Sequence, residues 1–436
     1  MTGVAVTLAE ARARDAADPL RSFRDRFALA SDTRGEPLTY LSGHSLGLLP
    51  LAARALVNEE LEEWSRLAVL GHEQARRAWI PYHENLTAGL ATLAGAEASE
   101  VVAMNSLTVN LHLMLASFYR PQGKRTRILI EAGAFSSDRH AVTSQIAWRG
   151  LDPGDTLIEL APAPGEDLVS EEAIEALLAR HGEEIAVVLW PGVQFRTGQA
   201  FDLARIARAA HARGCIAGFD LAHSIGNMPQ ALHALDADFA VWCSYKYLNG
   251  GPGAIGGCFV HRRHSEAQPR SRHGGGLPGV RLAGWWGHEE ATRFRMEPQF
   301  EAAAGAAAWQ VSNPPILAAA PLIASLDIFT QAGMTALRAK SVALTDFTED
   351  LIRPLAPRVH ILTPAASAQR GCQLSLRLAA GAADGRRVFT ALTARGVICD
   401  WRSPDIIRVA PVPLYNTFED AWRFAQVLTE ILQAAV

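Results

Sequence analysis

The sequence predicts an α/β protein: a large domain on a mostly parallel sheet, joined to a smaller α+β domain. Two patterns carry this. From Glu100 onward, short apolar runs alternate with amphipathic segments of helix length, as in parallel strands covered on both faces by crossover helices. After Pro315 the rhythm changes to a long helical stretch, three strand-like runs and a terminal helix. The expected limits are 1–60 for an N-terminal segment packing with the small domain, 61–315 for the large domain and 316–436 for the small one.

In order, residues 7–29 read as amphipathic helix broken at Asp18-Pro19, 39–50 as an extended run into a glycine turn, and 51–71 and 81–94 as helices. Strands are expected at 101–104, 127–131, 156–160, 185–190, 216–219, 239–242 and 255–261. Helices are expected between them at 109–118, 136–148, 170–181 and 202–213. Residues 266–283, rich in Gly, Arg, Ser and Pro, read as an exposed loop. Beyond it come a helix over 317–351, strands at 372–378, 396–400 and 406–410, and a helix over 417–432.

Composition excludes several classes. Hydrophobic residues make up 49% and charged ones 20% of the 436 residues, which suits a globular chain and not a disordered one. A net charge of −4 gives no general attraction to nucleic acid or anionic membrane. No apolar run is long enough to span a bilayer, and the N-terminus lacks a basic secretory pattern. The five cysteines, an odd number without a C-x-x-C pair, support neither a disulfide framework nor a metal site. A cytoplasmic protein is expected.

Lysine is the conspicuous residue. Only Lys124, Lys246 and Lys340 stand among 41 basic side chains. Unlike arginine, a lysine can be deprotonated and form a Schiff base. Lys124 sits in a solvated loop and Lys340 on a helix, whereas Lys246 follows an apolar run and precedes glycines, so it is the candidate cofactor anchor. In parallel sheets ligands bind beyond the carboxyl ends of the strands, which singles out 105–108, 134–138, 220–223 and 244–246. Asp220 ends a strand, where it can pair with a protonated pyridine nitrogen or serve as a cap. Asn105–Thr108 precede a helix, as a phosphate site or an ordinary cap. Phe135 can stack on a ring or simply pack, and His223 can touch a cofactor or be a satisfied polar residue. Arg408 interrupts an apolar run, as a carboxylate clamp or a structural ion pair. Gly251-Pro-Gly-Ala-Ile-Gly256 matches a dinucleotide fingerprint in letters but leads into a strand, so it reads as a tight turn. The sum is a pyridoxal-phosphate site with no named reaction.

The stretches Ser42-Gly-His-Ser-Leu-Gly-Leu48, Asn105-Ser-Leu-Thr108, Phe135-Ser-Ser-Asp138, Pro191-Gly-Val-Gln194, Asp220-Leu-Ala-His223, Ser244-Tyr-Lys-Tyr-Leu-Asn249, Gly284-Trp-Trp-Gly-His288 and Arg408-Val-Ala-Pro411 resemble the kynureninase family over nearly the whole chain. The resemblance implies a fold-type-I pyridoxal-phosphate enzyme that cleaves the Cβ–Cγ bond of L-kynurenine or 3-hydroxy-L-kynurenine in tryptophan catabolism. It makes Lys246 the Schiff-base lysine, Asp220 the pyridinium partner and Phe135 the stacking ring. Leu107, Thr108 and Tyr245 would hold the phosphate, with Asp138 and His223 as further contacts. Arg408 would bind the substrate α-carboxylate near Ser45, and Tyr245 is the candidate for proton transfer, since a phenol near a phosphate can donate and recover a proton. Trp285 and Asn313 would reach the site from the other subunit of a homodimer. His72 and Asn313 are similar to members preferring the 3-hydroxy substrate. Two features depart from the pattern: His44 stands where asparagine is expected, and the 266–283 loop, with Arg270, Arg272 and His273, is longer. The competing readings are another fold-type-I enzyme, such as a cysteine desulfurase or class V aminotransferase, and a cofactor-binding protein without catalysis. A desulfurase needs an exposed cysteine, and Cys372 reads as buried.

Overall fold

A computed structural model describes residues 6–266, 281–379 and 381–434. Its strands are β1 (Thr39–Tyr40), β2 (Val101–Ala103), β3 (Arg127–Glu131), β4 (Leu157–Leu160), β5 (Ile185–Pro191), β6 (Ile216–Asp220), β7 (Phe239–Trp242), β8 (Gly257–Val260), β9 (Val359–Ile361), β10 (Leu374–Leu378), β11 (Val397–Ile398), β12 (Asp400–Arg402) and β13 (Ile406–Val409). The central sheet has seven strands in the order β2-β8-β7-β6-β5-β3-β4. All run the same way except β8, which is antiparallel to both of its neighbours.

Strand periodicity explains why the sheet is covered twice. Alternate side chains point to opposite faces, so Leu129, Val188, Phe219 and Ala240 join one core while Ile128, Val187, Phe239 and Val241 join the other. Helices Glu84–Ala94, Leu203–His211 and Ile316–Ala332 supply buried residues to the first core. Helices Leu107–Phe118 and Ser136–Trp148 supply the second. Continuous apolar runs are what such doubly covered strands require.

The second sheet, β12-β13-β10-β9, is antiparallel and packs its apolar face against helices Ala382–Ala394 and Phe418–Gln433. The N-terminal segment joins it: β1 pairs in parallel with β11, and Asp15 accepts backbone hydrogen bonds from Phe418 and Glu419.

Several boundaries differ from expectation for local reasons. The helix from Leu51 ends at Leu67, because Ala68 turns to φ 47° and a short 3₁₀ segment follows. The stretch expected as one helix is two, Ile316–Ala332 and Met334–Ile352, broken at Gly333 with φ 73°. Strand β8 is shorter at both ends than expected, and the 396–400 run divides into β11 and β12. Most of the 266–283 loop, with Arg270, Arg272 and His273, lies outside the described residues. Among the described residues no single helix is long and apolar enough to cross a membrane.

Two of the three lysines take part in ion pairs. Lys124 pairs with Glu183 in solvent. Lys340 is buried against Asp18 at 2.7 Å, with both side chains under 10% exposed. Removing one partner of a buried pair strands the other charge, which costs about 3–5 kcal/mol. Lys340→Met should therefore lower unfolding free energy by about that amount in urea titration, and adding Asp18→Leu should recover part of the loss.

Candidate active site

Because the parallel strands end at one edge of the sheet, the segments that follow them converge. The loops after β2, β3, β5, β6 and β7 enclose a cleft of about 680 Å³, part of it open to solvent. Leu107, Thr108, Phe135, Asp138, Asp220, His223, Tyr245 and Lys246 all line it, together with Glu131, Trp190 and Phe195.

Lys246 lies at its centre. Its Nζ is 3.1 Å from His223 Nε2 and 5.8 Å from the centroid of the Phe135 ring. Burial, and then the Lys246 charge, hold the His223 imidazole well below its ordinary range, so the ring is neutral and Nε2 accepts from the ammonium. The proton then sits on Nδ1, a buried atom without a partner. The backbone around Lys246 is fixed by a close approach: Gly47 N–H donates to Tyr245 O at 2.8 Å, and a Cβ on Gly47 would lie 2.4 Å from Lys246 O. Behind the lysine, Gly251 and Gly253 adopt φ 86° and 72° and lead into β8, a strand and not a helix, as the tight-turn reading requires.

Carboxyl groups occupy the floor. Asp220, at the end of β6, accepts from Ala222 N–H at 2.6 Å. Asp138 is raised well above the carboxylate range, first by burial and then by the Asp220 charge, and its Oδ1 has no partner. Opposite, helices Leu107–Phe118 and Ser136–Trp148 both begin without a side-chain cap, and Thr108 Oγ1 meets Ser137 Oγ at 2.8 Å. Free N–H groups at two helix starts, with two hydroxyls between them, form a receptor for a phosphate. Tyr245 is pushed up by burial, with Cys243 adding to the rise, so its phenol keeps its proton. An anion cup, a lysine, an exposed aromatic face and paired carboxyls with unmet hydrogen bonds fit pyridoxal phosphate.

The other expected site residues lie elsewhere. Arg408 is fully buried and does not line the cleft; it bonds Asp400 and the carbonyl of Phe195. Ser45 is half-buried in the Ser42–Gly47 turn. His72, Trp285 and Asn313 gather in a second pocket with Val69, Leu70, Ile80 and Phe294, about 760 Å³ including open space.

Residues that sequence reasoning missed are Glu131, Gln194 and Ser137. Gln194 Oε1 accepts from the backbone of Arg196 and Thr197, which aims Nε2 at Glu131. Gln194 closes one of the stretches that resemble the family and Ser137 is a hydroxyl in a helix start after a strand, whereas Glu131 reads only as the last residue of a strand. Glu100, His233 and His261 cluster at metal-ligand distances. There, Glu100 already accepts from two backbone N–H groups and from His233, and His261 Nδ1 accepts from Arg263 N. The cluster is a closed hydrogen-bond network.

Burial pushes the Glu131 carboxyl up to about 8, against the opposing hydrogen bond from Gln194, with the Asp220 charge adding to the rise. An unfolded glutamate titrates near ~4.3, so between those values the folded chain holds a proton that the unfolded chain has lost. This contribution to stability is full below the lower value and falls as pH rises through the upper one. In ligand-stripped protein, the unfolding free energy of wild type relative to Glu131→Gln should decline from pH 5 to 8.5. A flat difference in urea titrations would mean that Glu131 is ionised throughout.

Comparison with known proteins identifies the family and the fold. Residues 337–428 match the model of the kynureninase C-terminal domain. A kynureninase of Xanthomonas campestris pv. campestris (strain B100) is 58% identical over 411 residues, 94% of each chain. One of Xanthomonas euvesicatoria pv. vesicatoria is 57% identical over 419 residues, 96% of each. Among solved structures, the cystine C–S lyase C-DES superposes with a TM-score of 0.74 at 20% identity, over 90% of this chain and 97% of that one. The cysteine desulfurase CsdA of Escherichia coli superposes with a TM-score of 0.74 at 17% identity, over 95% and 98%. At such identities the structural likeness is one of fold, that of the fold-type-I enzymes. The long, close sequence matches reach further: the chain belongs to the kynureninase family.

Proposed function

We propose that this protein is a pyridoxal-phosphate hydrolase that cleaves the Cβ–Cγ bond of L-kynurenine or 3-hydroxy-L-kynurenine, releasing L-alanine and anthranilate or 3-hydroxyanthranilate, a step of tryptophan catabolism. The observation that carries this is Lys246, held by neutral His223 over the Phe135 ring with Asp220 and Asp138 in the same cleft, in a chain of this family.

When bound, the cofactor supplies an electron sink for bonds at the substrate α-carbon. The protein's own residues do the rest. Thr108, Ser137 and the helix start at Leu107 receive the phosphate, and Phe135 offers its ring face. Asp220 would offer its carboxylate to the cofactor's ring nitrogen, and Asp138, protonated, would donate without adding charge. Lys246 would anchor the cofactor, and its amine, when free, would take the substrate α-proton, with His223 holding Nζ in place. Tyr245, whose phenol stays protonated, gives and recovers the proton needed as water attacks the γ-carbonyl and the Cβ–Cγ bond breaks. Arg408, buried just outside the cleft and bonded to the carbonyl of cleft-lining Phe195, would receive the α-carboxylate through its remaining N–H bonds.

A homodimer with a composite site accounts for the second pocket. His72, Trp285 and Asn313 are gathered away from Lys246, beside exposed Val69, Leu70 and Phe294, an apolar surface suited to a second copy of the chain. In that arrangement they would close the partner's cleft, with His72 and Asn313 offering polar contacts to a ring hydroxyl. The desulfurase reading lacks its nucleophile, since all five cysteines are buried. Free thiols without a disulfide suit a cytoplasmic location.

Alanine should be released from one or both kynurenines. Lys246→Ala should abolish both this activity and the visible absorption of the lysine-bound cofactor. No alanine from either substrate would reject the reading. Mixing Lys246→Ala with Trp285→Ala protein should restore activity that neither shows alone, since one site of the mixed dimer is then intact; no recovery would reject the composite site.

A further inference from the structure

Beyond the cleft, two arginines and a buried histidine gather around a single carboxylate oxygen. Pairing of β12 with β13 sets Asp400 directly opposite Arg408. Asp400 Oδ2 accepts from Arg408 Nε at 2.7 Å and also from Arg408 Nη2. Arg402, two residues along β12 and therefore on the same face, brings its Nε to 2.9 Å from that oxygen, close but not aligned as a hydrogen bond. His44 Nε2 lies 3.7 Å from it. The His44 ring is fully buried, neither nitrogen has a hydrogen-bond partner, and burial holds it at about 3, so it is neutral. Two guanidinium groups, one carboxylate and a neutral imidazole leave one net positive charge.

A guanidinium has five N–H bonds. Asp400 takes one on Nε and one on Nη2, and Phe195 O takes one on Nη1 at 2.6 Å, so two Nη bonds are left. Phe195 itself lines the cleft and meets Phe135 edge-on at 5.3 Å. His44 lies 6.4 Å from the His223 ring, which touches Lys246. The Arg408–Asp400 pair is thus tied to the cleft on two sides.

We propose that Asp400 is a positioning residue for the substrate α-carboxylate. It grips the Nε–Nη2 edge of Arg408 and so fixes which guanidinium edge is offered to the ligand. It also neutralises one of the two arginines, so that a single positive charge receives a single negative one. The proposal rests on Arg408 as the carboxylate receptor.

The test compares holoenzyme binding of L-alanine and L-alaninamide, followed by the change in visible absorption. The two ligands differ only in the carboxylate. Asp400→Glu keeps the charge and shifts the carboxylate by one methylene. It should weaken alanine at least tenfold and leave alaninamide within twofold; equal effects on both ligands, or none, would overturn the proposal. Asp400→Asn keeps the shape, and covers the case in which the longer side chain prevents folding. Loss of aim lowers its preference for alanine over alaninamide, whereas an Asp400 that only balances charge would raise it, leaving two arginines unopposed; a raised preference would overturn the proposal. Arg408→Gln should abolish the preference. If it persists there, the Arg408 reading fails, and the proposal with it; if Arg408→Gln abolishes it and both Asp400 variants keep it, the proposal alone fails.

Discussion

Burial of charge is the constraint on which the cleft depends. Three carboxyls, a lysine and a histidine face one small space, and removing such groups from water costs several kcal/mol each unless they are paired or neutral. The cleft meets this cost by sorting protonation states. Asp138 and Glu131 keep protons, and His223 stays neutral. Lys246 and Asp220 then share the cleft with neutral neighbours, and the Tyr245 phenol keeps its proton.

That sorting needs the groups delivered with little freedom, and the sheet does this. Strands that run the same way end at the same edge, so each loop begins from a fixed backbone position. The antiparallel β8 lets the chain double back after Lys246 through Gly251 and Gly253, so the lysine sits in a turn clamped from behind by the sheet and from the front by Gly47. A rigid lysine loop and a neutral histidine at 3.1 Å together fix Nζ.

Much of this was legible in the sequence because it is local. Lysine scarcity, an acid closing an apolar run and hydroxyls before a helix are each readable within a few residues, and strand limits such as Arg127–Glu131 and Phe239–Trp242 follow from hydropathy alone. What escaped depends on distant pairings. The hydroxyl contact between Thr108 and Ser137 needs two helices to meet. The aiming of Gln194 at Glu131 needs β3 and β5 to be neighbours. Asp400 stands opposite Arg408 only through the β12–β13 register. Strand ends carry small phase errors as well: Ile255 and Gly256 continue the apolar run but lie outside β8, although Gly256 bonds the backbone of Met104 and Asn105.

Arg408 shows why local reading leaves alternatives open. From its place in an apolar run it was either a carboxylate clamp or a structural ion pair. The structure places it in an ion pair with Asp400, fully buried, and the two readings need not compete. A guanidinium has two edges, and one that is to discriminate carboxylates inside a protein has to be held by the other; a free one would lose both its orientation and its hydration on burial. The ion pair is then the condition under which the clamp can work.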